Sequence, residues 1–290
     1  MPVTCAVPRT LPIPPPASLA PGPLAGRTAL ILHAHPDDEA IFTAATAHRL
    51  ARSGARVVLV TATAGELGPV LRPLRAGETL GQRRQAELER AAELLGVARL
   101  VLLRHRDSGM AGWADNSHPD ALAGADHGAL ARRLADLCAA EGAEALVHYD
   151  PAGIYGHPDH VAVHRIGAAA ATLAGVTGYE ATVPRERRPR GRRAHLVDVA
   201  AAGGAVGWDS AGIATEVRAD AADLAAKRAA MAAHASQVPR SATRRSGFAG
   251  TYGREWYRRT GAPGLLDEVA AVPARWAAPG TRGVARPLGG

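Results

Sequence analysis

Short apolar runs closed by polar or glycine-bearing clusters alternate with longer stretches of helical spacing over residues 28–173. The run TALILHA at 28–34 ends in a polar cluster and predicts a buried strand. Residues 38–53 predict a helix that Gly54 ends, and RVVLVT at 56–61 predicts a second strand. After a Gly/Pro-bearing loop at 65–77, residues 81–95 alternate apolar and charged positions at helical spacing, with Gly96 as the stop. A third strand is predicted at 100–103, followed by a polar excursion at 104–126 and a helix reaching about residue 140. The run ALVHY at 145–149 predicts a fourth strand, and residues 158–173 a further helix. Strands alternating with helices predict an α/β fold, a Rossmann-like, mostly parallel sheet with helices on both faces.

Beyond Tyr179 the pattern weakens. Residues 179–183 and 195–199 predict strands around an Arg-rich turn at 185–193, and residues 220–234 predict a helix. Residues 1–26 are Pro-rich and predict a disordered or polyproline tail. Residues 266–290 return to Gly, Ala and Pro and predict a loosely ordered end, leaving one α/β domain over 27–265.

Composition narrows the function classes. A hydrophobic fraction of 47% with 21% charged residues is ordinary for a globular chain, while 4% aromatics leaves the core to Ala, Val and Leu. The net charge of +7 comes from arginine, Lys227 being the only lysine. No basic helix interleaved with stacking aromatics accompanies it, which argues against a nucleic-acid partner. Cys5 and Cys138 make neither a disulfide framework nor a thiolate metal site and suit a reducing cytoplasm. The N-terminal segment lacks the continuous apolar core of a secretory signal, and no stretch approaches the ~20 apolar residues of a membrane span. These features predict a cytoplasmic protein without a membrane partner and leave assembly into a homo-oligomer open.

Two polar clusters fall where predicted strands give way to helices. The first is His35-Pro36-Asp37-Asp38-Glu39. In open α/β sheets that carboxyl edge is where ligands bind. Pro36 suits a helix start, and carboxylates in a first turn are favoured by the helix dipole. Acidic residues there are often no more than helix-start residues. A histidine directly before them points further, because imidazole nitrogen and carboxylate oxygen are both good zinc ligands. Asp38, three residues from His35, can point at the same spot. Asp37 then remains as a nearby general base.

The second cluster, Tyr155-Gly156-His157-Pro158-Asp159-His160, follows the strand at 145–149 through a Pro/Gly loop and also opens a helix. Two loops of one design at one sheet edge can converge on a single metal. A lone histidine here would read as a cap or a solvated side chain; two histidines and an aspartate echoing the first loop do not. His160 and His164, four apart on one helical face, offer an alternative H-x-x-x-H pair, but the Glu that normally follows the first His is missing.

AHPDDE at 34–39 and GHPDH at 156–160 together resemble the PIG-L/LmbE-like deacetylases, which include N-acetylglucosaminyl-phosphatidylinositol deacetylase and the bacterial deacetylases of mycothiol and bacillithiol synthesis. The likeness runs from Thr28 to His164. It includes GQRRQAELERAAELLG at 81–96 and RDSGM at 106–110, which are similar to the mycothiol branch, and continues faintly into KRAAMAAHASQ at 227–237.

The resemblance implies one zinc ion per chain held by His35, Asp38 and His160, with a coordination position open for water. Iron or cobalt would fit the same ligands. It further implies Asp37 as general base. His157 would stabilise the oxyanion or protonate the departing amine, Asp159 would orient His157, and Tyr155 would lie beside the substrate carbonyl. Arg84 and Asp107 match substrate-binding positions; by themselves they would read as an exposed helix charge and a turn former. The loop at 110–126, with Trp113, is the part on which the resemblance says least.

The function expected is zinc-dependent removal of an acyl group from an N-acylated amino sugar, an N-acetylglucosaminyl inositol being favoured. An amidase of the same family acting on a mycothiol conjugate, or a deacylase of a glycosylated natural product, is the alternative. A non-catalytic sugar-binding module is disfavoured because every residue the chemistry needs is present.

Overall fold

The computed structural model of the chain describes residues 9–12, 22–187, 193–194, 197–198 and 206–271. Its strands are β1 (Arg9–Pro12), β2 (Thr28–His33), β3 (Arg56–Thr63), β4 (Arg99–His105), β5 (Ala145–Tyr149), β6 (Thr177–Thr182), β7 (Arg193–Ala194), β8 (Val197–Asp198), β9 (Thr215–Arg218) and β10 (Arg254–Thr260). Its α-helices are α1 (Ala44–Arg52), α2 (Leu80–Leu95), α3 (His127–Glu141), α4 (Gly153–Gly156), α5 (Pro158–Ala174), α6 (Ala221–Ala233), α7 (Arg240–Arg244), α8 (Phe248–Tyr252) and α9 (Leu265–Ala271).

The main sheet has eight strands in the order β1-β4-β3-β2-β5-β6-β10-β9. From β4 to β6 every neighbouring pair is parallel, whereas β1, β10 and β9 pair antiparallel at the two edges. The central strands β2 and β5 are buried along their whole length. That is why they read as continuous apolar runs, without the alternation of a half-exposed strand. The predicted α/β architecture is therefore the observed one.

Local sequence explains where the helices begin and end. Thr79 and Gln82 form a reciprocal capping box at the start of α2 (3.2 and 2.9 Å), and Gly96 ends that helix at φ 74°. The helix predicted from Asp38 instead opens as a π-helical turn, Glu39–Thr43, before continuing as α1.

Four expectations meet a different or partial outcome. Within the predicted tail, Arg9–Pro12 pairs with β4 as an edge strand and Leu24 is buried; the remainder up to residue 21 lies outside the described residues. The strand predicted at 195–199 is described only at Val197–Asp198, which pairs with Arg193–Ala194. Most of the Arg-rich turn also lies outside the described residues. At the other end, α9 buries Leu265, Leu266 and Val269, so packed structure runs past residue 265. Asp267 anchors this helix by accepting from Tyr179 Oη (2.7 Å) and Thr215 Oγ1 (2.6 Å). Residues 272–290 lie outside the described residues.

Two buried polar knots lock α1 and α6 together. Asp223 on α6 receives Arg49 Nε and His48 Nδ1, each at 2.9 Å, and Arg52 Nε at 3.0 Å. On β10, Glu255 caps the start of α1. Its carboxylate accepts Ala45 N–H (2.9 Å), Thr46 N–H (2.8 Å), Thr46 Oγ1 (2.7 Å) and Lys227 Nζ (2.6 Å). The Lys227–Glu255 pair is 1% exposed on each side. Removing one partner of such a pair leaves an uncompensated buried charge. Lys227→Met should therefore lower unfolding stability by roughly 3 kcal/mol. The double variant Lys227→Met/Glu255→Gln should lose less than the two single variants together. Urea unfolding of all four proteins tests this, and additive losses would refute the coupling.

Candidate active site and metal centre

The parallel sheet is built outward in opposite directions from β2 and β5, with β3 and β4 beyond β2 and β6 beyond β5. The loops leaving the carboxyl ends of such neighbours part around a crevice. Both histidine motifs lie there, 35–39 after β2 and 155–160 after β5.

Each loop is held in a conformation that an unsupported chain would avoid. Asp37 sits at φ 112°, a strain on the order of 1–3 kcal/mol. It persists because its neighbours over-determine it. Arg84 Nη2 donates to Pro36 O and to Asp37 Oδ1 (3.1 Å), Arg84 Nη1 donates to Gly65 O (2.7 Å), and the Asp37 N–H donates to Glu39 Oε2 (3.0 Å). In the second loop, Asp150 Oδ1 accepts the N–H groups of Ala152 (3.0 Å) and Ile154 (2.9 Å). The chain then turns through Gly153 at φ 59° and Ile154 at φ 65°. A Cβ on Gly153 would stand 2.6 Å from the Cβ of His160, so only glycine lets the loop pass behind that histidine.

Three donor atoms converge between the loops. His160 Nε2 lies 3.3 Å from His35 Nδ1 and 3.4 Å from Asp38 Oδ2, and His35 Nδ1 lies 3.5 Å from Asp38 Oδ2. Ligands about 2.1 Å from a zinc ion at tetrahedral angles stand about 3.4 Å apart, so the triangle has the dimensions of three corners of such a site. All three residues are buried. Tyr149 stacks on the His160 ring with centroids 4.4 Å apart and planes 14° from parallel. Its hydroxyl is held by His33 Nδ1 (2.8 Å) and the Ala34 N–H (3.1 Å).

His35 also belongs to a second cluster, with Asp107, His157 and Asp159. These groups are already engaged by protein donors. Asp159 accepts the N–H and hydroxyl of Ser108, Asp107 accepts the N–H groups of Gly109 (2.8 Å) and Leu67 (3.2 Å), and His157 Nδ1 accepts the Asp159 N–H (3.2 Å). The set His35, Asp38 and His160 has the tetrahedral spacing, with Asp38 Oδ2 also accepting the His35 N–H (2.9 Å). Asp159 Oδ2, 3.1 Å from His35 Nε2, supplies the carboxylate that commonly orients a ligating imidazole.

The contacts place three of the expected groups. Asp159 was expected to orient His157, yet its carboxylate grips His35 and touches His157 only through its backbone N–H, because Ser108 turns it towards the β2 loop. His157 does act as the cap of α5. Since its Nδ1 accepts a hydrogen bond, the neutral ring carries its proton on Nε2. Arg84, expected at a substrate-binding position, is 4% exposed and spends its guanidinium on the Asp37 loop while also lining the cleft. The alternative pair of His160 and His164 does not form: His164 Nδ1 turns to the Tyr149 carbonyl (3.0 Å) and joins no ligand group among the described residues.

Charge and burial separate the two adjacent carboxylates. Burial pushes Asp37 up to about 6, with Arg84 opposing and Asp38 reinforcing the rise. Burial would raise Asp38 as well, but the His160 and His35 imidazoles hold it well below the usual carboxylate range. Burial, with His35 and His160 beside it, pushes His157 down to about 2. The ring is neutral.

The cleft over these residues encloses about 330 Å³. His35, Asp37, Asp38, Asp107 and His157 form its floor. Tyr155, whose Oη lies 3.4 Å from His160 Nε2, stands at one wall, and Ile41, Phe42, Met110 and Trp113 add apolar surface. Sequence reasoning missed Ser108, Tyr149, Glu39, His234 and Gln237. Ser108 and His234 lie in the similar stretches RDSGM and KRAAMAAHASQ, but nothing local marks their partners.

Comparison with known proteins follows the same lines. The family model described as PIG-L, GlcNAc-PI de-N-acetylase, matches residues 30–171. A relative from Catenulispora acidiphila, named 1D-myo-inositol 2-acetamido-2-deoxy-alpha-D-glucopyranoside deacetylase 2, is 42% identical over 56% of this chain and 57% of its own length. The Salinispora arenicola protein named as the corresponding deacetylase is 40% identical over 74% of this chain and 78% of its own length. Among solved structures, N,N'-diacetylchitobiose deacetylase from Pyrococcus horikoshii superposes with a TM-score of 0.52 at 20% identity, covering 81% of this chain and 84% of its own, and so shares the fold. With both histidine motifs inside the matched segment and 40% identity sustained over most of a relative's length, the chain belongs to the PIG-L family of de-N-acetylases.

Proposed function

We propose that this chain is a zinc-dependent hydrolase that removes the acetyl group from an N-acetylated amino sugar, with an N-acetylglucosaminyl inositol as its favoured substrate. The observation that carries the reading is the 3.3–3.5 Å triangle of His35, Asp38 and His160 beside the clamped carboxylate of Asp37. The named relatives act on an inositol glycoside of this kind, as their names state. Zinc is favoured over other divalent ions by the mixture of two imidazoles and one carboxylate.

Bound by those three residues, the metal would polarise the amide carbonyl and lower the pKa of water. The chain's own groups do the rest. Asp37 takes a proton from the attacking water; raised to about 6, it is ionised at neutral pH yet basic enough for the task. The His157 Nε2–H and the Tyr155 hydroxyl donate to the oxygen that becomes negative as the carbonyl carbon turns tetrahedral. When the C–N bond breaks, Asp37 returns its proton to the leaving amine, releasing acetate and the free amino sugar. Asp107 faces the cleft as an acceptor for a sugar hydroxyl. We assign the reaction to the cytoplasm, a reading supported by the relatives named as deacetylases of an inositol glycoside.

One observation favours the second reading, an amidase or deacylase acting on a larger conjugate. Val70 (54% exposed), Leu71 (46%) and Trp113 (49%) leave apolar surface beside the cleft-lining residues Pro69 and Met110.

Chelation should abolish acetate release from the N-acetylglucosaminyl inositol and added zinc should restore it; undiminished turnover by metal-free protein would sink the mechanism. Asp37→Ala should keep a full complement of metal while kcat falls roughly 10²–10⁴-fold, whereas Asp38→Ala should lose the metal. Equal metal retention by both variants, measured by elemental analysis, would overturn the roles assigned to them. Comparing kcat/KM for the inositol glycoside, a thiol conjugate of its free amine and a lipid-linked N-acetyl sugar decides between the readings, the first being expected to dominate.

A further inference from the structure

The base proposed above is fixed by residues that no part of that reaction uses. Glu39 is 2% exposed and divides its carboxylate between two partners: Oε2 accepts the Asp37 N–H at 3.0 Å, and Oε1 meets His234 Nε2 at 2.5 Å. His234 is fully buried at the end of α6, about two hundred residues away in sequence, and its Nδ1 has no hydrogen-bond partner among the described residues. Glu39 is therefore the one group the imidazole holds there.

We infer that His234 is a positioning residue for the Asp37 carboxylate, acting through Glu39. This rests on the reading of Asp37 as the base. Asp37 stands at φ 112°, where an L-residue does not rest unaided. Three contacts keep it there. Arg84 holds Oδ1, the N–H groups of Ala40 (3.1 Å) and Ile41 (3.0 Å) hold its carbonyl, and Glu39 holds its N–H. Of these, only the Glu39 contact depends on a group from the far end of the chain. With His234 removed, the buried Glu39 carboxylate becomes free to turn, and the Asp37 N–H loses a fixed acceptor. The loop would then relax towards ordinary backbone and carry the carboxylate out of line with the water it must deprotonate. Among the described residues the hydrogen bond and ion pair of His234 go to Glu39 and not to His35, Asp38 or His160, so the metal site should survive the change.

The groups packed around this link make it specific. α6 is held onto α1 by the Asp223 and Glu255 knots. The connector after it is tied down where Ser236 donates its N–H (2.9 Å) and its hydroxyl (2.6 Å) to Glu87 of α2. His234 thus meets Glu39 from a fixed support, as a positioning residue must.

Three variants test the inference in the zinc-loaded, full-length protein. In His234→Ala, kcat should fall roughly 10- to 100-fold, while KM and the zinc content per chain stay as in the parent. His234→Gln keeps an N–H donor for Glu39 and should recover most of the lost kcat. Glu39→Gln, which keeps an oxygen for the Asp37 N–H, should fall between them. A readout independent of turnover is the ¹H–¹⁵N resonance of Asp37, which should move in His234→Ala and return towards its parent position in His234→Gln. An unchanged kcat per bound zinc in His234→Ala, or an Asp37 resonance indifferent to the substitution, would overturn the inference. If the parent hydrolyses no N-acetyl sugar yet the Asp37 resonance responds as stated, the reading of function fails while the positioning link stands.

Discussion

Placing two imidazoles and one carboxylate at the corners of a triangle with 3.3–3.5 Å sides, away from water, is the constraint around which this molecule is arranged. Unpaired, such groups are costly to bury, and each donor or acceptor left over demands a partner. The structure meets part of that demand outward in rings, leaving His160 Nδ1 without a hydrogen-bond partner among the described residues. Asp159, itself held by Ser108, holds His35, Tyr149 stacks on His160, and Arg84 and Glu39 hold the backbone next to Asp38. A divalent cation at the centre would supply the one thing these rings lack, positive charge shared by all three corners. The open α/β sheet brings the corners together because β2 and β5 are adjacent, parallel, and feed their loops to opposite sides.

Much of this was legible in sequence, for physical reasons. Strands buried on both faces must be continuously apolar, so TALILH and ALVHY announced themselves. Helices that end in a left-handed residue need glycine there, so Gly96 marked the end of α2. The two His-Pro-Asp loops were legible because each is a compact run of metal-binding residue types between a strand and a helix; which of those residues would bind was implied by the family resemblance and not by spacing.

The rest was hidden because its causes are non-local. Strand β10 reads REWYRRT, and its charged residues argue against a buried strand. Glu255 belongs inside only because Lys227, the sole lysine, arrives from α6 to meet it. The same holds for Arg84, which local spacing makes an exposed helix charge. It is buried because three oxygens of the 36–37 and 65 backbone and side chains await its guanidinium. The Asp159 carboxylate is also set by non-local contacts: Ser108, in the loop after β4, donates its N–H and hydroxyl to it, and it meets His35 and not the ring of its sequence neighbour His157.

The division of labour proposed for Asp37 and Asp38 shows how far such long-range support would reach into chemistry. The two carboxylates are adjacent in sequence and chemically identical, so no propensity or periodicity distinguishes them. What separates them is direction. The helical φ of −57° at Asp38 sends its carboxylate inward, between two imidazoles that favour its charge. The positive φ of Asp37 turns the neighbouring carboxylate to the cleft, where burial disfavours charge and Arg84 restores only part of the balance. Pushing the proton affinities of neighbouring acids apart is how one site obtains both a fixed anion and a working base. Here that separation rests on one strained backbone torsion, and the torsion rests on contacts from α2 and α6. The chain beyond Tyr179, where only a faint family likeness appears, is in this sense what would allow HPDD to carry the two functions proposed for it.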